Sequence, residues 1–161
     1  MSSVRAARTA AVDVVLCRGC CCGSAAKRPG TDHLGQLSAL AEAVEDLPAA
    51  NLVVTDCLGP CELANVVVVR TRGRLPGERP TAPVWLGNVT DPADTAGLCA
   101  WVRRIGLGIE RFPHDGPLPP ALESLRIPTP GPRRTIRTRR TATATGRPAL
   151  ADSTGGTRQR S

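Results

Sequence analysis

Apolar residues along this chain fall into short blocks whose periods change from strand-like to helical and back. Val12–Leu16 (VDVVL) is a β-branched apolar run and predicts a buried strand. It runs straight into CRGCCCGSAAKRPG, a cysteine-rich loop closed by Pro29-Gly30. Thr31 or Asp32 can then cap a helix in which Leu34, Leu37, Leu40, Val44 and Leu47 recur at helical spacing. Gln36, Glu42, Glu45 and Asp46 lie on its other faces, His33 reads as an exposed polar residue of the first turn, and Pro48 stops the helix. Asn51–Thr55 (NLVVT) is a second strand. A strand–helix–strand unit of this length implies parallel strands joined by a right-handed crossover. After the tight Gly-Pro loop DCLGPCELA comes Asn65–Arg70 (NVVVVR), continuously apolar and therefore central in the sheet.

An Arg/Gly/Pro loop over 71–83 leads to Val84–Leu86 (VWL), a fourth strand expected to pair with the third as a hairpin. Asp91-Pro92 supplies an N-cap followed by proline at the first helical position. Leu98, Val102 and Ile105 give that second helix an apolar face, on which Cys99 reads as a core residue, and Gly106 and Gly108 end it. The expected fold class is α/β, a four-stranded mixed sheet with two main helices, in the order β-α-β-β-β-α.

Composition sets the limits of that domain. The 161 residues include only two tryptophans, one phenylalanine and no tyrosine, so the core must be built from Val, Leu, Ala and Ile. Those residues lie almost entirely before Arg111. The expected division is a flexible leader over 1–11, a folded domain over 12–111, and a disordered Pro/Arg/Thr-rich tail over 112–161. A domain of that size is near the limit where a core alone suffices and a bound metal helps. Most of the formal charge of +7 belongs to the tail, because residues 112–161 hold 9 of the 21 basic residues and only 3 of the 14 acidic ones. The folded part is almost neutral and lacks interleaved aromatics, which argues against specific nucleic-acid binding.

Seven cysteines are many for this length. The N-terminus lacks the apolar stretch of a secretory signal, and no run approaches a membrane span. The expected compartment is the cytoplasm, where clustered cysteines mean metal or redox chemistry more often than structural disulfides.

The spacing of the cysteines then becomes informative. Cys17 and Cys22 are separated by four residues, Cys57 and Cys61 by three, and 34 residues lie between Cys22 and Cys57. Each pair directly follows a predicted strand. If those strands are parallel neighbours, both loops emerge at the same end of the sheet and four thiolates can converge. Soft thiolate ligands in this number suit either an iron–sulfur cluster or a structural zinc ion. Cys20 or Cys21 could replace Cys22 as the second ligand, and spacing favours Cys22. Cys17-Arg-Gly-Cys20 also has the C-x-x-C form of a redox dithiol, but the loop and a proline separate it from the helix N-terminus that would lower its pKa. Gly19, Gly23 and Gly59 would let the backbone turn sharply around a bound group. No C-x-H pair of a Rieske centre is present, His114 lies in the tail, and Gly106-Leu-Gly108 lacks the rest of a dinucleotide fingerprint. No acid, base or nucleophile constellation argues for an enzyme.

CRGCCC followed by DCLGPCELANVVVV resembles the thioredoxin-like [2Fe–2S] ferredoxin family, and is similar to the cluster domain of the small [2Fe–2S] subunit of NADH:quinone oxidoreductase. That pattern is C-x4-C, then C-x3-C within a CLGxC motif followed by Ala and a β-branched strand. Cys17, Cys22, Cys57 and Cys61 stand at those places, with Leu58-Gly59 and Ala64 also matching, and the likeness covers roughly residues 12–105. It implies a thioredoxin-like fold, a [2Fe–2S] cluster held by these four cysteines, and one-electron transfer between redox partner proteins. It also implies a possible homodimer. The subunit's N-terminal helical region has no counterpart before Val12, which points to a stand-alone carrier. Arg70, Arg72, Arg74 and Arg79 follow the third strand; they would steer an acidic partner if the cluster faced the same surface, and otherwise form a solvated loop.

Overall fold

The computed structural model describes residues 11–19, 21–72, 81–113 and 116–131. Residues 1–10 of the expected leader, Cys20, Arg74, Arg79, His114 and the expected tail beyond 131 lie outside the described residues. The elements are β1 (Val12–Cys17), α1 (His33–Glu45), β2 (Ala50–Thr55), β3 (Val67–Thr71), β4 (Val84–Leu86), α2 (Pro92–Gly106), α3 (Pro120–Glu123) and β5 (Arg126–Ile127). A 3₁₀ turn over Cys61–Leu63 separates β2 from β3.

The sheet order is β2-β1-β3-β4-β5. β1 runs parallel to β2, and each of the pairs β1–β3, β3–β4 and β4–β5 is antiparallel. A crossover through α1, then a hairpin and a second helix, with β1 and β3 central, is the thioredoxin-like arrangement. Alternation along the strands decides the layers. Val12, Val14 and Leu16 of β1, Val67 and Val69 of β3, and Val84 and Leu86 of β4 point to the side covered by α1 and α2 and are buried. Val15, Val53, Val68 and Trp85 stand on the other side, in one cross-strand row that lines an open groove of about 260 Å³. β2 is one of the two edge strands, and its Val53 and Val54 are exposed.

The starts of α1 and α2 follow from their caps. Asp32 accepts a hydrogen bond from the Gly35 N–H at 2.8 Å, and Asp91 accepts one from the Ala93 N–H at 2.7 Å. The face of α1 differs from the sequence expectation. Leu34 is 78% exposed whereas Gln36 is 5% exposed, and the buried stripe runs through Gln36, Leu40, Ala43 and Val44. The Gln36 amide tolerates burial because its groups are bonded. Nε2 donates to the Val89 carbonyl at 2.8 Å and to Thr95 Oγ1 at 3.3 Å, and Oε1 accepts from Arg18 Nη2 at 2.6 Å.

The sheet has five strands rather than four, and the boundary placed at Arg111 is too early. α3 and β5 both lie in the stretch read as tail. Leu118 and Leu122 are buried in the main core beside α2, and Ile127 pairs with Trp85 of β4. A four-residue helix and a two-residue strand carry too few positions to show a period, which is why a Pro-rich composition concealed them.

Arg70 and Arg72 also depart from expectation. β3 is antiparallel to β1, so Arg70 faces Asp13 at the opposite end of the strands from Cys17. Arg70 Nε and Arg72 Nε lie 3.3 and 3.0 Å from the buried Asp13 carboxylate, which also accepts from Asn51 Nδ2 at 3.1 Å. These two arginines therefore neutralise an internal acid and do not border the cysteines. Asp13→Ala is expected to cost about 1–3 kcal/mol, read by denaturant unfolding. The half-exposed guanidinium groups can turn to water, which keeps the loss below that of a fully buried broken pair.

Candidate metal centre

Strand register builds this site. Cys17 is the last residue of β1 and sits opposite Thr55, the last residue of β2. Cys57 follows two residues later, so the parallel pair delivers both cysteine loops to one end of the sheet. The loops are joined by backbone contacts. The Arg18 N–H donates to the Thr55 carbonyl at 2.9 Å, the Cys17 N–H donates to Val66 at 3.1 Å, and the Cys17 thiol donates to the Asp56 carbonyl at 3.5 Å. Gly19 passes so close to Asp56 that a Cβ on it would overlap the Asp56 carbonyl. In the second loop Gly59 has φ of 124°, which side-chain-bearing residues rarely adopt, and this lets the chain turn between Cys57 and Cys61.

The four predicted cysteines come together two and two. Cys57 Sγ and Cys61 Sγ are 3.6 Å apart at the surface. Two thiolates on one tetrahedral metal with bonds near 2.3 Å stand about 3.8 Å apart, so this pair already has the spacing of two ligands on one ion. Cys17 and Cys22 are buried together with Ala64 and Val66, against Cys21, Leu58, Trp85 and Ile127. Among the described residues, no three His, Cys, Asp or Glu side chains close on one point as a metal cage. Cys21 is half-buried and lies 3.1 Å from Lys27 Nζ.

Burial pushes the Cys22 thiol up to about 12; the neighbouring Cys17 and Cys21 add to this and a backbone hydrogen bond at Val66 opposes it. Binding a metal there must therefore release a proton. The surroundings suit the resulting negative charge. The Arg18 guanidinium lies in the first loop, and its pKa is lowered by burial and raised by Cys22 and Cys17. Among the described residues, Arg18 Nε is buried without a hydrogen-bond partner. Four cysteine sulfurs in two pairs, glycine-lined turns and a spare cationic donor fit a thiolate-bound metal group.

Sequence reasoning missed the polar side chains that hold the site. His33 is half-buried rather than exposed: its carbonyl accepts from Arg18 Nη2 at 3.1 Å, and its Nδ1 lies 3.4 Å from Asn65 Nδ2. Asn65 is fully buried and reaches Gln36 Oε1 at 3.4 Å. The signal for Arg18 was its place inside the first cysteine loop; Gln36 and Asn65 gave none, since only the tertiary fold brings them together. Cys99 packs in the core as expected, with its thiol 3.4 Å from the Ala39 carbonyl and its pKa raised by burial. Cys99→Ala is expected to lower stability by about 1 kcal/mol and leave any metal spectrum unchanged.

No protein-family model matches the chain, and no curated protein matches it. Among solved structures, a thioredoxin-like [2Fe–2S] ferredoxin from Aquifex aeolicus is similar at 23% identity and a TM-score of 0.44, covering 75% of this chain and 94% of that one. No helix among the described residues is long and apolar enough to cross a membrane.

Proposed function

We propose that this chain is a one-electron carrier in which Cys17, Cys22, Cys57 and Cys61 hold a [2Fe–2S] cluster. The observation that carries the reading is the delivery of two cysteine pairs, by adjacent parallel strands, to one end of the sheet. A [2Fe–2S] cluster takes two protein ligands on each of its two irons, which matches a two-and-two arrangement. Cys57 and Cys61 also carry the CLGPC pattern described above.

When bound, the cluster supplies a centre that gains and loses one electron. The chain's own residues would do the rest. Cys17 and Cys22 would hold the inner side among Ala64, Val66 and Trp85, where water is excluded. Cys57 and Cys61 would hold the outer side, where Cys57 is exposed and a donor or acceptor protein can approach closely. No proton has to move for such a step, so no acid or base is required. Reducing conditions of the cytoplasm would keep the ligand thiols available.

Purification without oxygen, followed by a visible spectrum and assays of iron, sulfide and zinc on one sample, tests the reading. About two irons and two sulfides per chain, with colour bleached by dithionite, is the expected result. A colourless chain with one zinc and no sulfide would replace the carrier with a zinc-stabilised interaction module built on the same cysteines.

A further inference from the structure

Arg18 spans the gap between the first cysteine loop and helix α1. Its Nη1 donates to the carbonyls of Cys17 and Cys22 at 3.1 and 3.4 Å. Its Nη2 donates to the His33 carbonyl at 3.1 Å and to Gln36 Oε1 at 2.6 Å. One planar group thus grips both ends of the Cys17–Cys22 loop and the first turn of the helix behind it. Its anchor on the helix is fixed in turn, because Gln36 is bonded to Val89 and Thr95. All four acceptors are neutral, and among the described residues no carboxylate pairs with Arg18. Among the described residues the charge thus has no carboxylate partner, and the groups whose negative form would act on it are the thiols of Cys22 and Cys17.

We propose that Arg18 is the positioning residue of the metal centre: its guanidinium ties the Cys17–Cys22 loop to α1 and holds an unpaired positive charge beside two of the four sulfurs. The tether is a property of the chain alone, whereas the electrostatic part rests on the cluster reading above. A reduced cluster carries one more negative charge than an oxidised one. A fixed cation beside it favours the reduced form and raises the midpoint potential. Lysine keeps the charge but cannot grip four acceptors in a plane.

The test uses the full chain with Arg18→Gln and Arg18→Lys. In metal-free protein, amide hydrogen exchange is followed at Gly23 and Ser24, whose N–H groups bond within the loop. In metal-loaded protein, the midpoint is read by potentiometric titration of the visible spectrum. Exchange at Gly23 and Ser24 is expected to rise on the order of tenfold in both variants, with the amide of Leu40 unaffected. The midpoint is expected to fall in Arg18→Gln and to stay near the parent in Arg18→Lys. Parent-like exchange in Arg18→Gln overturns the tether, and a midpoint that moves no further in Arg18→Gln than in Arg18→Lys overturns the electrostatic role. If Arg18→Gln does not fold, Arg18→Lys decides alone: slow exchange, or a midpoint displaced from the parent, overturns the proposal. A colourless protein removes the cluster reading and the electrostatic role with it, while the exchange rates still decide the tether.

Discussion

Serine in place of Cys57 or Cys61 is expected to give a folded chain that has lost the visible spectrum of its metal centre. The substitution removes one sulfur and little else. Cys57 is exposed and Cys61 half-buried, and neither belongs to the buried core clusters. A surface change of this kind alters the stability of metal-free protein by less than about 0.5 kcal/mol. Metal binding, by contrast, depends on a soft thiolate that a hydroxyl does not replace. Iron per chain, the visible spectrum and circular dichroism on one sample separate the two effects. The metal-loaded parent is also expected to melt higher than the variants, by whatever free energy the metal contributes to folding. An unchanged spectrum in either variant would remove that residue from the ligand set.

Gly19→Ala is expected to be almost as damaging, through shape and not chemistry. The new Cβ would overlap the carbonyl of Asp56, a backbone atom that cannot swing aside like the end of a flexible side chain. That carbonyl also accepts from the Cys17 thiol, and the next residue is Cys57. Relief of the overlap must separate the loop of the first cysteine pair from the loop of the second. The expected cost is about 1–3 kcal/mol or more, with most or all of the metal lost. Urea unfolding and iron content measure the two parts. Full metal content in Gly19→Ala would mean that the cysteine pairs do not need this approach to act together.

Much of the scaffold was legible because the longer elements show their period and most carry a local stop or start. VWL is β4 as expected, Asp91-Pro92 opens α2, and Asp32 caps α1. The strand–helix–strand length implied parallel strands, and that one inference brought the two cysteine pairs to the same end of the sheet. What escaped was set by partners distant in sequence. Leu34 and Gln36 exchanged roles because Val89, Thr95 and Arg18 offer Gln36 a bonded interior position that no helical pattern reveals. Arg70 and Arg72 read as a solvated run until β3 was seen to end beside Asp13. α3 and β5 are recognisable from Leu118, Leu122 and Ile127 only once the surfaces they cover are known.

The position of β5 bears on the order in which the protein is made. Cys17, Cys22, Cys57 and Cys61 leave the ribosome early, yet Ile127, which packs against Trp85 and the buried cysteine pair, is among the last described residues to emerge. During synthesis the Cys17–Cys22 pair therefore spends a long interval with one wall of its enclosure missing. Chains released prematurely between Cys61 and Ile127 would carry the complete set of sulfurs without that cover. Such fragments would be open to oxidants and stray ions, so on the proposed cluster reading the stretch 116–127 bears on clean loading.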